Sequence, residues 1–151
     1  MNIGSLFCSL GKALGGCTCD DEVVGIQPCG TIDINTASSI LLDKMEQMGA
    51  SDADIYLPDA NFKVYKKDDV IKFLGLDETD RIPYVTESYD CDDYSAKIFG
   101  MFAGLVWTNT HALCWFISDE GKFYFIEPQS DDIAPNLEEW QGCKIRFFLG
   151  R

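Results

Sequence analysis

The chain is poor in several things that would mark a particular class of protein. It has a single histidine, His111, in 151 residues, and 12 Lys plus Arg stand against 25 Asp plus Glu, for a formal net charge of −13. So few cations exclude duplex DNA or RNA as a natural partner, because a nucleic-acid site needs a basic face to displace counterions. The excess acid serves solubility, cation binding or mimicry of an acidic ligand. No apolar run approaches the ~20 residues of a membrane-spanning helix, so no membrane role is expected. The glycine-rich stretches lack the Lys-Ser/Thr that completes a phosphate loop. There is no internal repeat and no low-complexity tract.

Cysteine is plentiful by contrast. Seven cysteines, an odd number without framework spacing, argue against a disulfide scaffold and for a reducing, cytoplasmic setting. Cys17, Cys19 and Cys29 cluster but fall short of the four ligands of a structural zinc site. The first residues carry one early base, Lys12, and are broken by Gly4, Gly11, Gly15 and Gly16. A signal peptide needs a basic start and an unbroken apolar core. Residues 1–30 therefore read as a Gly/Cys-rich arm, and 31–151 as one domain of ordinary size.

The periodicities predict an α+β domain. Ile40, Leu41, Met45 and Met48 recur at helical spacing behind a cap at Asn35 or Thr36, up to Gly49. Residues 54–57 and 62–66 read as short strands, and a short helix capped by Asp68 or Asp69 carries Val70, Ile71, Phe73 and Leu74. A loop covers 77–90, and a helix runs over 91–105 with Ala96, Phe99, Gly100 and Ala103 on its inner face. Strands follow at 111–117, 122–127 and 144–149. Trp115, Trp140 and Cys143 read as packing residues that close the domain.

The chemistry concentrates in the second half. Asp90 can cap a helix that begins at Cys91, and a helix N-terminus favours the thiolate. Asp92 and Asp93 push the other way, so a thiolate here needs an imidazolium or a bound cation. Alone, Cys91 reads first as an ordinary buried cysteine. The lone His111 downstream changes that, provided the chain can return to the sulfur. A helix ending near Ala103 carries the chain ~18 Å away. Residues 104–111 can span ~23–25 Å, so the return is feasible with little slack. With a three-residue loop at Asp119-Glu120-Gly121, Ser118 opposes Lys122 and Leu113 opposes Glu127, which brings Glu127 diagonal to His111. Glu127 would then orient His111, and His111 would deprotonate Cys91. The competing reading leaves Glu127 in solvent at a strand end. Ser95 and Ser130 have no base of their own, which argues against a serine hydrolase.

Tyr89-Asp90-Cys91-Asp92-Asp93-Tyr94-Ser95, Gly104-Leu105-Val106-Trp107, His111-Ala112-Leu113-Cys114-Trp115 and Ile126-Glu127-Pro128-Gln129-Ser130-Asp131 resemble, in that order, a set of small phage and bacterial proteins. Those are similar to the C-terminal peptidase domain of a mushroom agglutinin. The resemblance implies a papain-like fold, in which N-terminal helices and a nucleophile-bearing central helix pack on a small antiparallel sheet. It also implies a Cys91–His111–Glu127 triad that cleaves a peptide or protein substrate through a thioester, in the host cytoplasm if the chain is phage-encoded. For the agglutinin domain it implies calcium activation. No cofactor is needed for the chemistry itself. Candidate calcium ligands are Asp92, Asp93, Gln129 and Asp131, although Asp92 and Asp93 equally suit plain helix-start stabilisation.

The chain departs from that pattern in having no Gln shortly before Cys91 to serve the oxyanion. Thr86, Ser88 or Trp107 would have to line the cleft, with Gln129. No sugar-binding domain precedes the motifs, so lectin function is not carried over. Two alternatives stand beside hydrolysis. One is transglutaminase-like acyl transfer, and the other is a catalytically silent acidic module that docks on a host or virion protein.

Overall fold

Two short strands and a capped helix open the domain in a computed structural model that describes residues 25–137 and 144–151. Most of the 1–30 arm, with Cys8, Cys17 and Cys19, lies outside the described residues, as do Trp140 and Cys143. β1 (Gly30–Asp33) pairs antiparallel with β3 (Asn61–Val64). Asp33 then caps α1 (Ile34–Gln47) by accepting the Asn35 and Thr36 N–H groups. The cap is thus Asp33 rather than Asn35 or Thr36, because a carboxylate just ahead of the helix already satisfies those donors. Leu41 and Met45 face the core, and Gly49 leaves the helix at φ +64°.

α2 (Lys67–Leu74) follows β3 and starts at Lys66 without a side-chain cap. Asp68 and Asp69 lie in its first turn and favour it through the macrodipole instead. The 77–90 loop contains one 3-10 turn, Thr79–Arg81. α3 (Cys91–Met101) is shorter than expected. Its buried face is Tyr94, Ser95 and Ile98, so the expected face of Ala96 and Gly100 is corrected: both are exposed.

The rest is a six-stranded sheet in the order β2-β8-β4-β5-β6-β7. Its strands are β2 (Asp54–Tyr56), β4 (Gly104–Thr108), β5 (Ala112–Ile117), β6 (Phe123–Glu127), β7 (Asp132–Ala134) and β8 (Ile145–Leu149). All neighbours are antiparallel except β2 and β8. β1, β4 and β7 escaped the sequence reading because short strands carry little periodic signal. The α+β class is as expected. α1 covers one face of the sheet, over Leu113, Trp115, Phe125 and Phe148. α2 and α3 cover the other, over Cys114, Phe116 and Ile126. Each fully buried apolar side chain of this kind contributes roughly 1.5–3 kcal/mol. Among the described residues, no helix is long and apolar enough to cross a membrane.

One glycine is required by close approach. A Cβ on Gly104 would fall 2.2 Å from the Trp115 ring, whose Nε1 donates to the Leu105 carbonyl at 3.0 Å. Gly104→Ala should therefore cost at least about 1–3 kcal/mol in urea unfolding, because neither strand can yield. Gly100→Ala meets nothing within 4 Å, and it should stabilise by up to about 1 kcal/mol through helix propensity. Equal effects at the two sites would show that the ring contact is not what constrains Gly104.

Candidate active site

Asp90 precedes α3, and Asp93 Oδ2 accepts the Asp90 N–H at 3.1 Å, half of a capping box. That reciprocal cap places Cys91 at the first helical position, as expected. Tyr94 anchors the same turn by donating its hydroxyl to the Ile82 carbonyl.

α3 runs alongside β5 in step with it. The Ala112 N–H acts on the Cys91 sulfur and favours its thiolate, and the Cys114 thiol donates to the Ser95 carbonyl at 3.2 Å. Four helical residues rise ~6 Å and two strand residues ~6.6 Å, so both contacts can hold together. α3 ends at Met101 and β4 carries the chain back antiparallel to β5. The return across residues 104–111 therefore takes place, and it delivers His111 immediately ahead of the strand whose first N–H meets the sulfur.

The β5–β6 hairpin has the expected register. Ile117 pairs with Phe123 and Cys114 with Ile126, and Gly121 sits at φ +74°. Continued by two residues, this register sets Ala112 opposite Pro128. Proline has no N–H to return to the Ala112 carbonyl, and the ladder ends there.

Glu127 does not face solvent. It is 7% exposed, and its Oε2 lies 2.5 Å from His111 Nε2. Its Oε1 accepts the Gln129 N–H at 3.1 Å. Both carboxylate oxygens are thus held, Nε2 is committed to Glu127, and Nδ1 is the ring nitrogen left for other work. Burial pushes the half-buried Cys91 thiol above its usual range. The Asp90 and Asp92 carboxylates add to this, while the Ala112 N–H pulls it down. A thiolate here requires a positive partner. Cys114, fully buried, is pushed up much further by burial and is chemically quiet.

The other expected residues divide. Ser88 lies in the Val85–Tyr89 turn, its N–H donated to the Val85 carbonyl. The Trp107 ring stacks on Phe147, 6.0 Å between centroids. Gln129 serves through its backbone, by fixing Glu127. The calcium set does not assemble. Asp93 is occupied in the helix cap, and Asp92 shares a hydrogen bond with Asp90, which raises the Asp92 carboxyl and lowers the Asp90 one. Asp131 groups instead with Asp80 and Asp77, two residues that sequence reasoning passed over within a featureless loop. Asp131 adopts a left-handed backbone, φ +60°. Desolvation, then the Asp80 and Asp77 charges, push its carboxyl up to about 6. Asp131 Oδ1, Asp80 Oδ1 and Thr79 Oγ1 are buried without a hydrogen-bond partner. Orphaned oxygens of that kind suit a hard cation; among the described residues, the acidic and thiol groups near enough to share one ion are Asp90, Cys91 and Asp92, whose ligand atoms lie within 4.8 Å of one another.

No protein-family model and no curated protein matches the chain. Solved structures do. One is Polyporus squamosus lectin bound to the human-type influenza-binding epitope Neu5Aca2-6Galb1-4GlcNAc, at 21% identity and TM-score 0.62, over 79% of this chain and 49% of that one. Another is a PSL1a–E64 complex, at 22% identity and TM-score 0.64, over 79% and 50%. The likeness is one of fold. The chain spans about half the length of each solved chain.

The His111–Glu127 contact should be energetically visible. Glu127→Ala should lower stability by about 1.5–3 kcal/mol, since it strips a charge-assisted bond from a half-buried ring, and Glu127→Gln should cost less. Urea unfolding of the two variants checks this, and a neutral Glu127→Ala would show the pair to be incidental.

Proposed function

We propose that the chain is a papain-like cysteine hydrolase, acting on a peptide or protein amide through a Cys91 thioester. The observation that carries this reading is the buried His111 Nε2–Glu127 bond of 2.5 Å, at the mouth of the strand whose first N–H meets the Cys91 sulfur. In this reading His111 Nδ1 takes the Cys91 proton, and Glu127 keeps the ring in the needed tautomer and offsets the imidazolium charge. The imidazolium is the positive partner that Cys91 needs against Asp90 and Asp92. The thiolate attacks the amide carbon, His111 returns the proton to the leaving amine, and water activated by the same ring releases the acid. The helix-start N–H groups support the oxyanion.

A second reading comes from the first neighbour, a lectin crystallised with a sialylated epitope: a glycan-binding role through the shared fold. It requires no reactive thiol, so thiol chemistry separates the two. Site-resolved alkylation by iodoacetamide across pH should show Cys91 reacting selectively, with an apparent pKa below ~8.5 that is lost on His111→Ala. E64, the compound complexed in the second neighbour and an epoxide that alkylates activated thiols, should label Cys91 in preference to Cys29. A Cys91 that reacts no faster than Cys29 in either assay overturns the hydrolase and favours the glycan.

Calcium belongs to the proposal, at a place other than Asp92–Asp93. Asp80 and Asp131, whose Oδ1 atoms are buried and unpartnered, would hold it, the ion offsetting their mutual repulsion and tying the segment ahead of α3 to the turn that follows Glu127. The sign of the pH effect follows from Asp131. Its raised carboxyl holds a proton more tightly in the folded than in the unfolded chain. That contribution is full below the ordinary value of 3.8 and is lost as pH rises through about 6. Calcium needs the deprotonated form, so its effect should run oppositely. The thermal midpoint should rise with calcium at pH 7.5, rise little at pH 5, and respond at neither pH in Asp131→Asn. A wild-type midpoint indifferent to calcium at pH 7.5 excludes the site.

A further inference from the structure

The turn between β4 and β5 is built around one hydroxyl. Thr108 is 1% exposed. Its Oγ1 accepts the His111 N–H at 2.8 Å and the Thr110 N–H at 3.2 Å, and donates to the His111 carbonyl at 2.8 Å. The Thr108 N–H also donates to that carbonyl, at 2.8 Å. Both backbone polar groups of His111 therefore end on Thr108. On the outer side, Asn109 grips β8 by two bonds to one residue. Its N–H donates to the Lys144 carbonyl at 2.9 Å, and its Oδ1 accepts the Lys144 N–H at 2.8 Å.

The ladder between β4 and β8 also slips at this point, between Trp107 and Thr108. An irregularity of this kind bends a strand and re-aims the side chains beyond it. The bend matters for His111. Strand alternation continued back from Leu113 and Trp115 sends residue 111 to the face that carries Phe125 and, beyond it, Glu127, its partner. Cys91 acts through Ala112, on the side of α3. His111 must therefore serve both from the very end of β5, where the turn as well as the pleat sets its direction.

We propose that Thr108 and Asn109 are positioning residues for His111: the slipped ladder turns the hairpin end, and the two side chains lock it so that the imidazole serves Cys91. This rests on the thiol reading above. None of the hydroxyl's bonds reaches the hydrophobic core, so its loss should act on His111 before it acts on the fold.

The test is the pH profile of Cys91 alkylation by iodoacetamide in wild type, His111→Ala, Thr108→Val, Thr108→Ser and Asn109→Gly. Each variant is checked for a cooperative thermal transition. Thr108→Val should lose about tenfold in rate near pH 6.5, equivalent to one unit of thiolate pKa, and should match wild type near pH 9.5, where the free thiolate dominates. Thr108→Ser restores the hydroxyl and should recover most of the loss. Asn109→Gly keeps the backbone bond in an exposed turn and should show a smaller loss of the same shape. A wild-type profile in folded Thr108→Val, or no recovery in Thr108→Ser, overturns the proposal. If Thr108→Val does not fold, a wild-type profile in Asn109→Gly overturns it instead. Failure of the thiol reading itself looks different: wild type and His111→Ala would already coincide.

Discussion

β6 stops at Pro128, and the candidate site is arranged around that strand end. β6 ends at Glu127 because the next residue has no N–H to continue the ladder. Ending there does two things. It closes the β5–β6 ladder ahead of Ala112, whose N–H favours the thiolate at the start of α3. It also brings the last side chain of the strand, Glu127, to the rim of the sheet, where His111 waits outside the β5 ladder. Pro128 is itself fully buried, so its position is held by packing and is not a fraying end. The helix, the strand and the carboxylate are thus organised by one backbone defect.

That arrangement was partly legible from residues alone. The loop Asp119-Glu120-Gly121 admits one register, because Gly121 supplies the left-handed position that a three-residue hairpin needs. The register then dictates that Leu113 faces Glu127. Asp90 before Cys91 was readable for the same kind of reason, a local hydrogen bond that needs only neighbouring residues. What stayed hidden depended on distant partners. β7 exists because Phe125, Ile126 and Glu127 lie beside it, and nothing in Asp132–Ala134 announces that. The inner face of α3 was misread because Tyr94 and Ser95 are buried by particular partners, an Ile82 carbonyl and a Cys114 thiol, while hydrophobic spacing favoured Ala96 and Gly100. Asp77 and Asp80 lay within a loop that carries no pattern, and it is the fold that brings their charges to bear on Asp131.

The acid of the chain thereby acquires an address. Two separate groups of carboxylates flank the thiol region, and they handle their mutual repulsion differently. Asp90 and Asp92 are coupled to each other, which lowers the Asp90 carboxyl and raises the Asp92 one. Asp93 escapes the same crowding by accepting a backbone N–H. Asp77 finds the same relief in the Thr79 N–H, whereas Asp131 and Asp80 each keep one oxygen buried and unpaired among the described residues. A group that can be relieved only by a proton or a cation makes local stability depend on what occupies it. The first group raises the barrier to a thiolate, and the second sits where it can stiffen or loosen the turn behind Glu127. In the proposed chemistry these effects oppose each other. A surface that is hostile to a bare thiolate admits one only when His111 is correctly held, which makes the orientation of that single ring the controlling variable of the site.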